Sequence, residues 1–212
     1  MMSSENRFAL FGIKLLSERM GSGRGILENS FMSLAAVTYE RGFHIDDFMA
    51  AVSGRLHASG FRLCGVVQEN FGSDGCAIMM LVDLASTQRF GISQALGACA
   101  RGCRLDPHGL IEASARLEQA IGPDVDLIVL NKFGKEEAEE GGGLRGVIAR
   151  AIDIGVPVLI AVRPPYDEAW NAFHGGFSAT LPAELETVVS WCVKAIAARR
   201  TTCAGAAAEA AP

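Results

Sequence analysis

Short apolar runs that alternate with helical patterns constrain the fold of this chain more than any other feature of its sequence. Four of these runs are rich in Val, Ile and Leu: "SLAAVTY", "RLCGVVQ", "VDLIVLN" and "VPVLIAV". Continuous apolar runs of this length are typical of strands that are buried on both faces of a sheet. Strands that alternate with helices predict an α/β domain of three layers with a mainly parallel sheet.

Two further runs, "CAIMMLVDL" and "TQRFGIS", are separated by only a few residues and predict an antiparallel hairpin added to that sheet. Helical spacing of apolar residues, with Pro107 at one start and Gly60 and Gly155 at two ends, predicts helices between the strands. These helices are "IDDFMAAVSGRLHASG", "PHGLIEASARLEQAI", "LRGVIARAIDIG" and "AELETVVSWCVKAIAARR". No helix or strand is predicted within 163–182, and residues 163–166 form one of the four loops expected beyond the carboxyl ends of the strands.

The length of 212 residues fits one sizeable domain. We predict an N-terminal helix and linker over 1–30, a single α/β domain over 31–200 and a disordered tail over 201–212. Half of the residues are hydrophobic and no apolar run reaches membrane-spanning length, so we expect a cytoplasmic protein without membrane insertion. The net charge of −5 argues against a nucleic-acid partner, because nucleic-acid binders present a basic face to the phosphates.

The six cysteines contain no C-x-x-C pair, and only Cys99 and Cys103 are close in sequence. Cys64 and Cys192 lie in apolar runs, where a thiol behaves as a small buried hydrophobe. We therefore predict reduced structural cysteines and no metal site. The remaining alternative is a reactive thiolate at Cys103, which has an arginine nearby on either side.

Ligands of open parallel sheets bind beyond the carboxyl ends of the strands. The richest loop in that position is "NKFGKEEAEEGGGLR", residues 131–145. It offers three cations for an anionic ligand, glycines that let the backbone approach it, and the amide of Asn131. Gln68, at the end of another predicted strand, is either a further ligand contact or a turn residue. The candidate ligand-binding residues are Lys132, Lys135, Arg145, Gly134, Gly141, Gly142, Gly143, Asn131 and Gln68. The alternative is a solvated surface loop in which Glu and Lys side chains pair.

Two more candidate ligand-binding residues, Arg101 and Arg104, lie in the loop "SQALGACARGCRLD", which is placed to close over an anion. The alternative for Arg104 is a surface pair with Asp106. The loop after the first strand, "ERGFHIDD", lacks the spaced glycines and the Gly-Lys-Ser/Thr ending of a phosphate loop. Asp46 and Asp47 would repel a phosphate there, and both suit the positive end of a helix dipole.

The phrases "GCRLD" and "NKFGKEEAE", with "LHASGFRLCGVVQ" and "GVPVLIAV", resemble a bacterial family known as domain of unknown function 2478. Genes of that family often lie beside molybdate-transport genes. The order of motifs is also similar to the small nucleoside triphosphatases of the P-loop class, which carry "DEIGKME" in the place of "NKFGKEE". Those enzymes have a glycine-lysine-threonine cradle where this chain has "ERGFHID", and an Asp-Glu pair where it has Asn131 and Lys132.

The resemblance implies a P-loop-NTPase-like scaffold with a degenerate phosphate loop, which binds a small anionic ligand and is linked to molybdenum homeostasis. Molybdate, tungstate or a nucleotide with Mg²⁺ are the candidate ligands. One alternative is a divergent Mg²⁺-dependent nucleoside triphosphatase in which Glu137 serves the metal or the attacking water. Another is a non-enzymatic interaction module that uses residues 1–30 and "WNAFHGG". These segments would mediate self-association into a homo-oligomer, or docking to a transporter or a metalloenzyme maturation partner.

Overall fold

Seven strands form one sheet in the computed structural model, which describes residues 32–72, 78–94 and 105–209. The predicted N-terminal helix and linker lie outside this part of the chain. The strands are β1 (Leu34–Thr38), β2 (Leu63–Phe71), β3 (Ile78–Asp83), β4 (Arg89–Gly91), β5 (Leu127–Leu130), β6 (Val158–Val162) and β7 (Ala179–Pro182). Their order across the sheet is β4-β3-β2-β5-β6-β1-β7.

The sheet is parallel from β2 to β7 and antiparallel at the other edge, where β2, β3 and β4 pair in succession. The predicted mainly parallel sheet and the antiparallel addition are therefore confirmed. Strand β2 extends to Phe71, beyond the predicted end at Gln68, because β3 continues to pair with it after the ladder with β5 has ended at Val66.

Helices cover both faces of the sheet and make the three layers. They are α1 (Ile45–Ala58), α2 (Pro107–Ala120), α3 (Arg145–Asp153), α4 (Asp167–His174) and α5 (Leu185–Glu209). Helices α1 and α5 pack on one face through a core that includes Met49, Leu56 and Ile196. Helices α2, α3 and α4 pack on the other face, where Leu117 and Ile148 are fully buried.

Three features differ from the sequence prediction. Helix α4 and strand β7 lie in the stretch without a predicted helix or strand, where only two short elements fit and β7 buries a single residue, Leu181. Such short edge elements carry too little periodicity to be recognised. Helix α5 continues to Glu209, past residue 200, through an alanine-rich segment with high helix propensity.

No helix within the described residues is long and apolar enough to cross a membrane.

The strand order creates a crevice beyond the carboxyl ends of β1 and β6. The chain leaves β1 through α1 on one face and crosses over β6 and β5 to reach β2. It leaves β6 through α4 on the opposite face and passes over β1 to reach β7. Neighbouring strands whose connections run in opposite directions open a cleft at their carboxyl ends, and this is where open α/β sheets bind ligands.

Substitution of Gly65 tests the close pairing of β2 with β5. Gly65 has φ +123°, and a Cβ atom there would overlap the backbone carbonyl of Val129. We expect Gly65→Ala to lower the free energy of unfolding by at least about 2 kcal/mol, measured by urea denaturation. The matched control is Gly54→Ala on the exposed face of α1, where the added methyl meets nothing and should stabilise the helix by about 0.5–1 kcal/mol. Equal effects of the two substitutions would contradict the pairing.

Candidate functional site

Polar side chains from four neighbouring strands meet at the crevice. Tyr39 follows β1, Gln68 lies near the end of β2, Asn131 follows β5 and Arg163 follows β6. Asn131 is 2% exposed, and its Oδ1 accepts a hydrogen bond of 3.1 Å from the Gln68 backbone N–H. The Asn131 side chain thus continues the parallel ladder for one residue beyond the last backbone pair, which explains why an amide follows β5.

The carboxylate of Asp46, in the first turn of α1, is the hub of this cluster. Its Oδ1 lies 2.8 Å from the Lys132 Nζ and accepts a 2.7 Å hydrogen bond from the Asn131 Nδ2. Its Oδ2 accepts hydrogen bonds from the Asn70 Nδ2 at 2.8 Å and the Gln68 Nε2 at 3.4 Å. A negative group thus lies at the start of a helix that leaves the sheet, which is where a phosphate loop would hold a phosphate.

The electrostatics of the cluster keep Asp46 ionised. Burial acts to raise its pKa, but the charge of Lys132 and the hydrogen bonds from Lys132, Asn131 and Asn70 outweigh burial and lower it. The Lys132 side chain is 31% exposed and that of Asp46 is 18% exposed, so the pair is screened only in part. Asp46 therefore compensates most of the charge that Lys132 brings to the crevice.

Arg163 brings a second cation to the same place. Burial raises the pKa of Tyr39, while the charge of Arg163 and its hydrogen bond to the Tyr39 side chain act in the opposite direction. The Arg163 Nη1 also donates to the Pro164 carbonyl at 2.9 Å. Within the described residues no carboxylate lies at ion-pair distance from this guanidinium, so its charge is available to an anionic ligand.

Two adjoining cavities open at the cluster and share Tyr39, Lys132 and Arg163. One, the apolar cavity, measures about 230 Å³ and lies beyond the ends of β2 and β5. Its walls include Leu81, Ile92, Leu105, Leu110, Phe133, Leu144 and Tyr166. The other, the polar cavity, measures about 310 Å³ and follows the loop between β1 and α1. Its walls include Arg41, His44, Asp46, Asp47 and Asn70.

The loop 131–145 is held in shape by the buried carboxylate of Glu137. This side chain is 3% exposed, and its two oxygens accept backbone hydrogen bonds from Gly134 at 2.8 Å and Leu144 at 2.9 Å. Burial raises the pKa of Glu137, and these two hydrogen bonds act against the rise. Glu137 belongs to a π-helical turn, Glu136–Glu140, which ends at Gly141 with φ +72°.

The buried Glu137 side chain also requires glycine at residue 143. A Cβ atom there would overlap the Glu137 carboxylate, and the backbone has φ +61°. Both carboxyl oxygens of Glu137 therefore have partners inside their own loop. The role predicted for Glu137 in hydrolysis stays a prediction. The geometry gives it a structural role.

Five of the predicted ligand-binding residues line the apolar cavity: Gln68, Asn131, Lys132, Gly134 and Lys135. Gly141, Gly142, Gly143 and Arg145 are not among the described residues that line either cavity. The Arg145 guanidinium lies over the rings of Phe133 and Phe173, at 5.9 and 4.9 Å from their centres, and burial lowers its pKa. Arg101 and Arg104 lie outside the described residues.

Sequence reasoning selected the loop that begins at Arg163, but it did not name Tyr39, Asp46 or Arg163 as ligand-binding residues. Arg163 follows β6 as Asn131 follows β5, so the rule that selected Asn131 also selects Arg163. Asp46 carried the opposite signal, because an acid at a helix start argues against a bound phosphate. Lys132 lies 86 positions after Asp46 in the sequence, and only the folding of the chain brings its side chain to the Asp46 carboxylate.

The structure also describes the "WNAFHGG" segment, two of the cysteines and the groups that could hold a metal. Trp170 and Phe173 of "WNAFHGG" are buried and pack on Phe133, so these two rings are core residues and not an exposed docking surface. Burial raises the pKa of Cys64 to about 11 and that of Cys192 to about 12, as fits unreactive structural thiols. The part of the chain that the structure describes contains no group of three or more His, Cys, Asp or Glu residues placed to hold a metal.

Substitution of Asp46 tests the hub. Asp46→Asn should lower the free energy of unfolding by about 1 kcal/mol near neutral pH, because the amide cannot hold Lys132 by charge. The folded pKa of Asp46 is lowered, so its contribution is complete above the ordinary Asp value of 3.8 and is lost as the pH falls through the folded value. Urea denaturation should find that the gap between the two proteins closes only in acid.

The control for this experiment is Asp47→Asn, since Asp47 lies on the same turn with its side chain 89% exposed. Its effect should stay within about 0.5 kcal/mol at every pH. A gap for Asp46→Asn that matches the Asp47 control, or that does not change in acid, would exclude the role of Asp46 as a buried counter-ion.

Substitution of Glu137 tests the loop. Glu137→Gln should lower the free energy of unfolding by about 1–3 kcal/mol, because its amide nitrogen would face one of two backbone N–H groups and leave it without an acceptor. Glu139→Gln changes an exposed carboxylate in the same turn and should stay within about 0.5 kcal/mol. Chemical denaturation of both variants measures the difference, and two equal values would refute the structural role of Glu137.

Comparisons with known proteins agree with this geometry at the level of the fold. The solution structure of a human cancer-related nucleoside triphosphatase is similar, with a TM-score of 0.55 and 17% sequence identity. The similarity covers 79% of this chain and 97% of that one. The predicted likeness of the scaffold to P-loop nucleoside triphosphatases is therefore confirmed.

A sequence relative is the molybdenum import ATP-binding protein ModC 2 of Bradyrhizobium diazoefficiens, 41% identical over 160 residues. The match covers 74% of this chain but only 18% of the relative, so most of that protein has no counterpart here. The model of a protein family of unknown function matches residues 34–191, from β1 into α5. The chain therefore belongs to the DUF2478 family, as its motifs predicted.

Proposed function

We propose that this protein binds a small anionic ligand, an oxyanion or the phosphate group of a nucleotide, in the crevice beyond β1 and β6, and that it serves molybdenum handling. The observation that carries the proposal is the Arg163 guanidinium beside Lys132, at the boundary of two cavities and without a carboxylate of its own among the described residues. A half-buried guanidinium at such a boundary offers a planar fork that suits carboxylate, phosphate and related oxyanions.

The surrounding groups support an anion more than a cation. Tyr39, Asn131 and Lys132 all carry hydrogen-bond donors at the crevice, and Lys135 adds a charge at its exposed rim. Asp46 supplies a negative charge in the same place, but Lys132 neutralises it at 2.8 Å. An anion that contacts Arg163 therefore meets a cation that has no carboxylate at ion-pair distance among the described residues.

The link to molybdenum rests on relatives and not on the site. The similar stretch of ModC 2 makes up 18% of a protein named for molybdenum import. Molybdate and tungstate are tetrahedral oxyanions, which is the class of ligand that Arg163 and Lys132 suit. We place the protein in the cytoplasm, in keeping with free buried thiols at Cys64 and Cys192.

We propose binding and not hydrolysis, because three parts of a phosphate-transfer site are replaced in this chain. The loop "ERGFHID" lacks the glycine-lysine-threonine cradle, and Asp46 occupies the helix start. Asn131 stands at the end of β5, where an acid would hold a metal ion. Glu137 is engaged with the amides of Gly134 and Leu144.

A thermal-shift series with molybdate, tungstate, phosphate, sulfate, AMP, GMP, ATP and GTP tests the proposal. A ligand at about 100-fold over its dissociation constant adds about 2.7 kcal/mol to the free energy of unfolding. We expect at least one anion to give such a shift. Arg163→Gln should weaken its binding by about tenfold or more, because one charge-assisted hydrogen bond contributes about 1.5–3 kcal/mol.

Lys194→Gln is the matched control, since Lys194 is an exposed lysine on α5 that lines neither cavity. It should leave the ligand shift unchanged. Two outcomes would end the proposal: no shift with any anion in the series, or a shift that Arg163→Gln and Lys194→Gln reduce equally.

A further inference from the structure

The two cavities at the crevice differ in their chemistry, and this difference bears on the class of ligand. The apolar cavity has an apolar side, formed by Leu81, Leu110, Phe133 and Leu144 with the half-buried ring of Tyr166, and a polar side that includes Lys132, Lys135 and Arg163. An inorganic oxyanion gains nothing from such walls, because an ion in apolar surroundings loses its hydration without compensation. A bare oxyanion would therefore use only the boundary with the polar cavity.

The volumes of the two cavities also favour an organic ligand over a bare oxyanion. Organic ligands occupy pockets of about 300–1,000 Å³. The apolar cavity, at about 230 Å³, falls below this range and the polar cavity, at about 310 Å³, lies at its lower end. Together they lie well within it, and they share the boundary at Lys132 and Arg163. A ligand with an apolar body and one anionic group would fill both.

The charges of the polar cavity set an upper limit on the charge of that group. Lys132 is already paired with Asp46 at 2.8 Å, and Asp47 lies on the same wall. A chain of phosphates directed along this wall would meet the two carboxylates Asp46 and Asp47, with Arg41 as one further cation in the cavity, and like charges at close range repel. One phosphate beside Arg163 avoids both.

We propose that the ligand is an organic anion with a planar ring and a single phosphate or carboxylate group, of the nucleoside monophosphate class. The ring lies in the apolar cavity against Tyr166, and the anionic group lies at the boundary beside Arg163 and Lys132. This inference rests on the proposed function, since it assigns the ligand class of the same site. It separates this protein from nucleoside triphosphate binders and from binders of inorganic oxyanions.

Isothermal titration calorimetry with AMP, GMP, inorganic phosphate, adenosine and ATP tests the assignment. We expect AMP or GMP to bind at least about tenfold more tightly than phosphate or adenosine, because both halves of the ligand then contribute. ATP should bind no more tightly than AMP. Tyr166→Ala should weaken the nucleoside monophosphate by about fivefold or more, as loss of base stacking does, and leave phosphate within about twofold.

The conservative variant Tyr166→Phe keeps the ring and should bind the monophosphate as the unmodified protein does, which separates stacking from a general disturbance of the fold. Should Tyr166→Ala not fold, Leu105→Phe narrows the apolar cavity and should have the same selective effect, with Ile111→Phe on the exposed face of α2 as its control. The readout in each case is the ratio of the two dissociation constants.

The outcomes distinguish this inference from the proposal beneath it. If phosphate or molybdate binds as tightly as AMP and GMP, or if ATP binds more tightly than AMP, the ligand class is wrong while anion binding stands. If Tyr166→Ala weakens phosphate as much as the monophosphate, the ring has no place in the apolar cavity. If no anion binds, the proposed function fails and this inference fails with it.

Discussion

The contact between the Asp46 carboxylate and the Lys132 ammonium is the interaction on which the crevice depends. It joins the first turn of α1 to the loop after β5, and through Asn70 and Gln68 it also reaches β2. A helix start favours a negative charge, and parallel strand ends bring their following residues to one edge. In this chain a side chain supplies that negative charge, so the fold does not require a bound phosphate to stabilise the start of α1.

This arrangement explains how a scaffold similar to that of a nucleoside triphosphatase tolerates the loss of its phosphate cradle. A degenerate loop with exposed amides and an unpaired lysine would leave polar groups without partners in a half-buried place. Asp46 satisfies Lys132 and the amides of Asn131 and Asn70 together. These polar groups thereby have partners within the chain, and Arg163 is a cation of the crevice without a carboxylate at ion-pair distance among the described residues.

The sequence predicted the sheet because its buried runs are unambiguous: "LIVL" and "VLIAV" are apolar at every position and bounded by polar residues. It also selected the carboxyl edge of the parallel strands, where Asn131, Lys132 and Lys135 line the apolar cavity. Asp46 and Arg163 were not named as ligand-binding residues, because their roles depend on distances across the fold between residues far apart in the chain. The glycines at 141 and 143 were assigned to a ligand, whereas their backbone angles and the buried Glu137 account for them.

The buried carboxylate of Glu137 has a consequence for how quickly a ligand is captured. Because Glu137 already fixes the amides of Gly134 and Leu144, the loop that carries Lys132 and Lys135 does not have to become ordered when a ligand arrives. Association of the proposed ligand would then involve little conformational rearrangement of this loop, and its rate would be governed by diffusion and by attraction to Arg163. Differences in affinity among related anions would accordingly appear in how long each one stays.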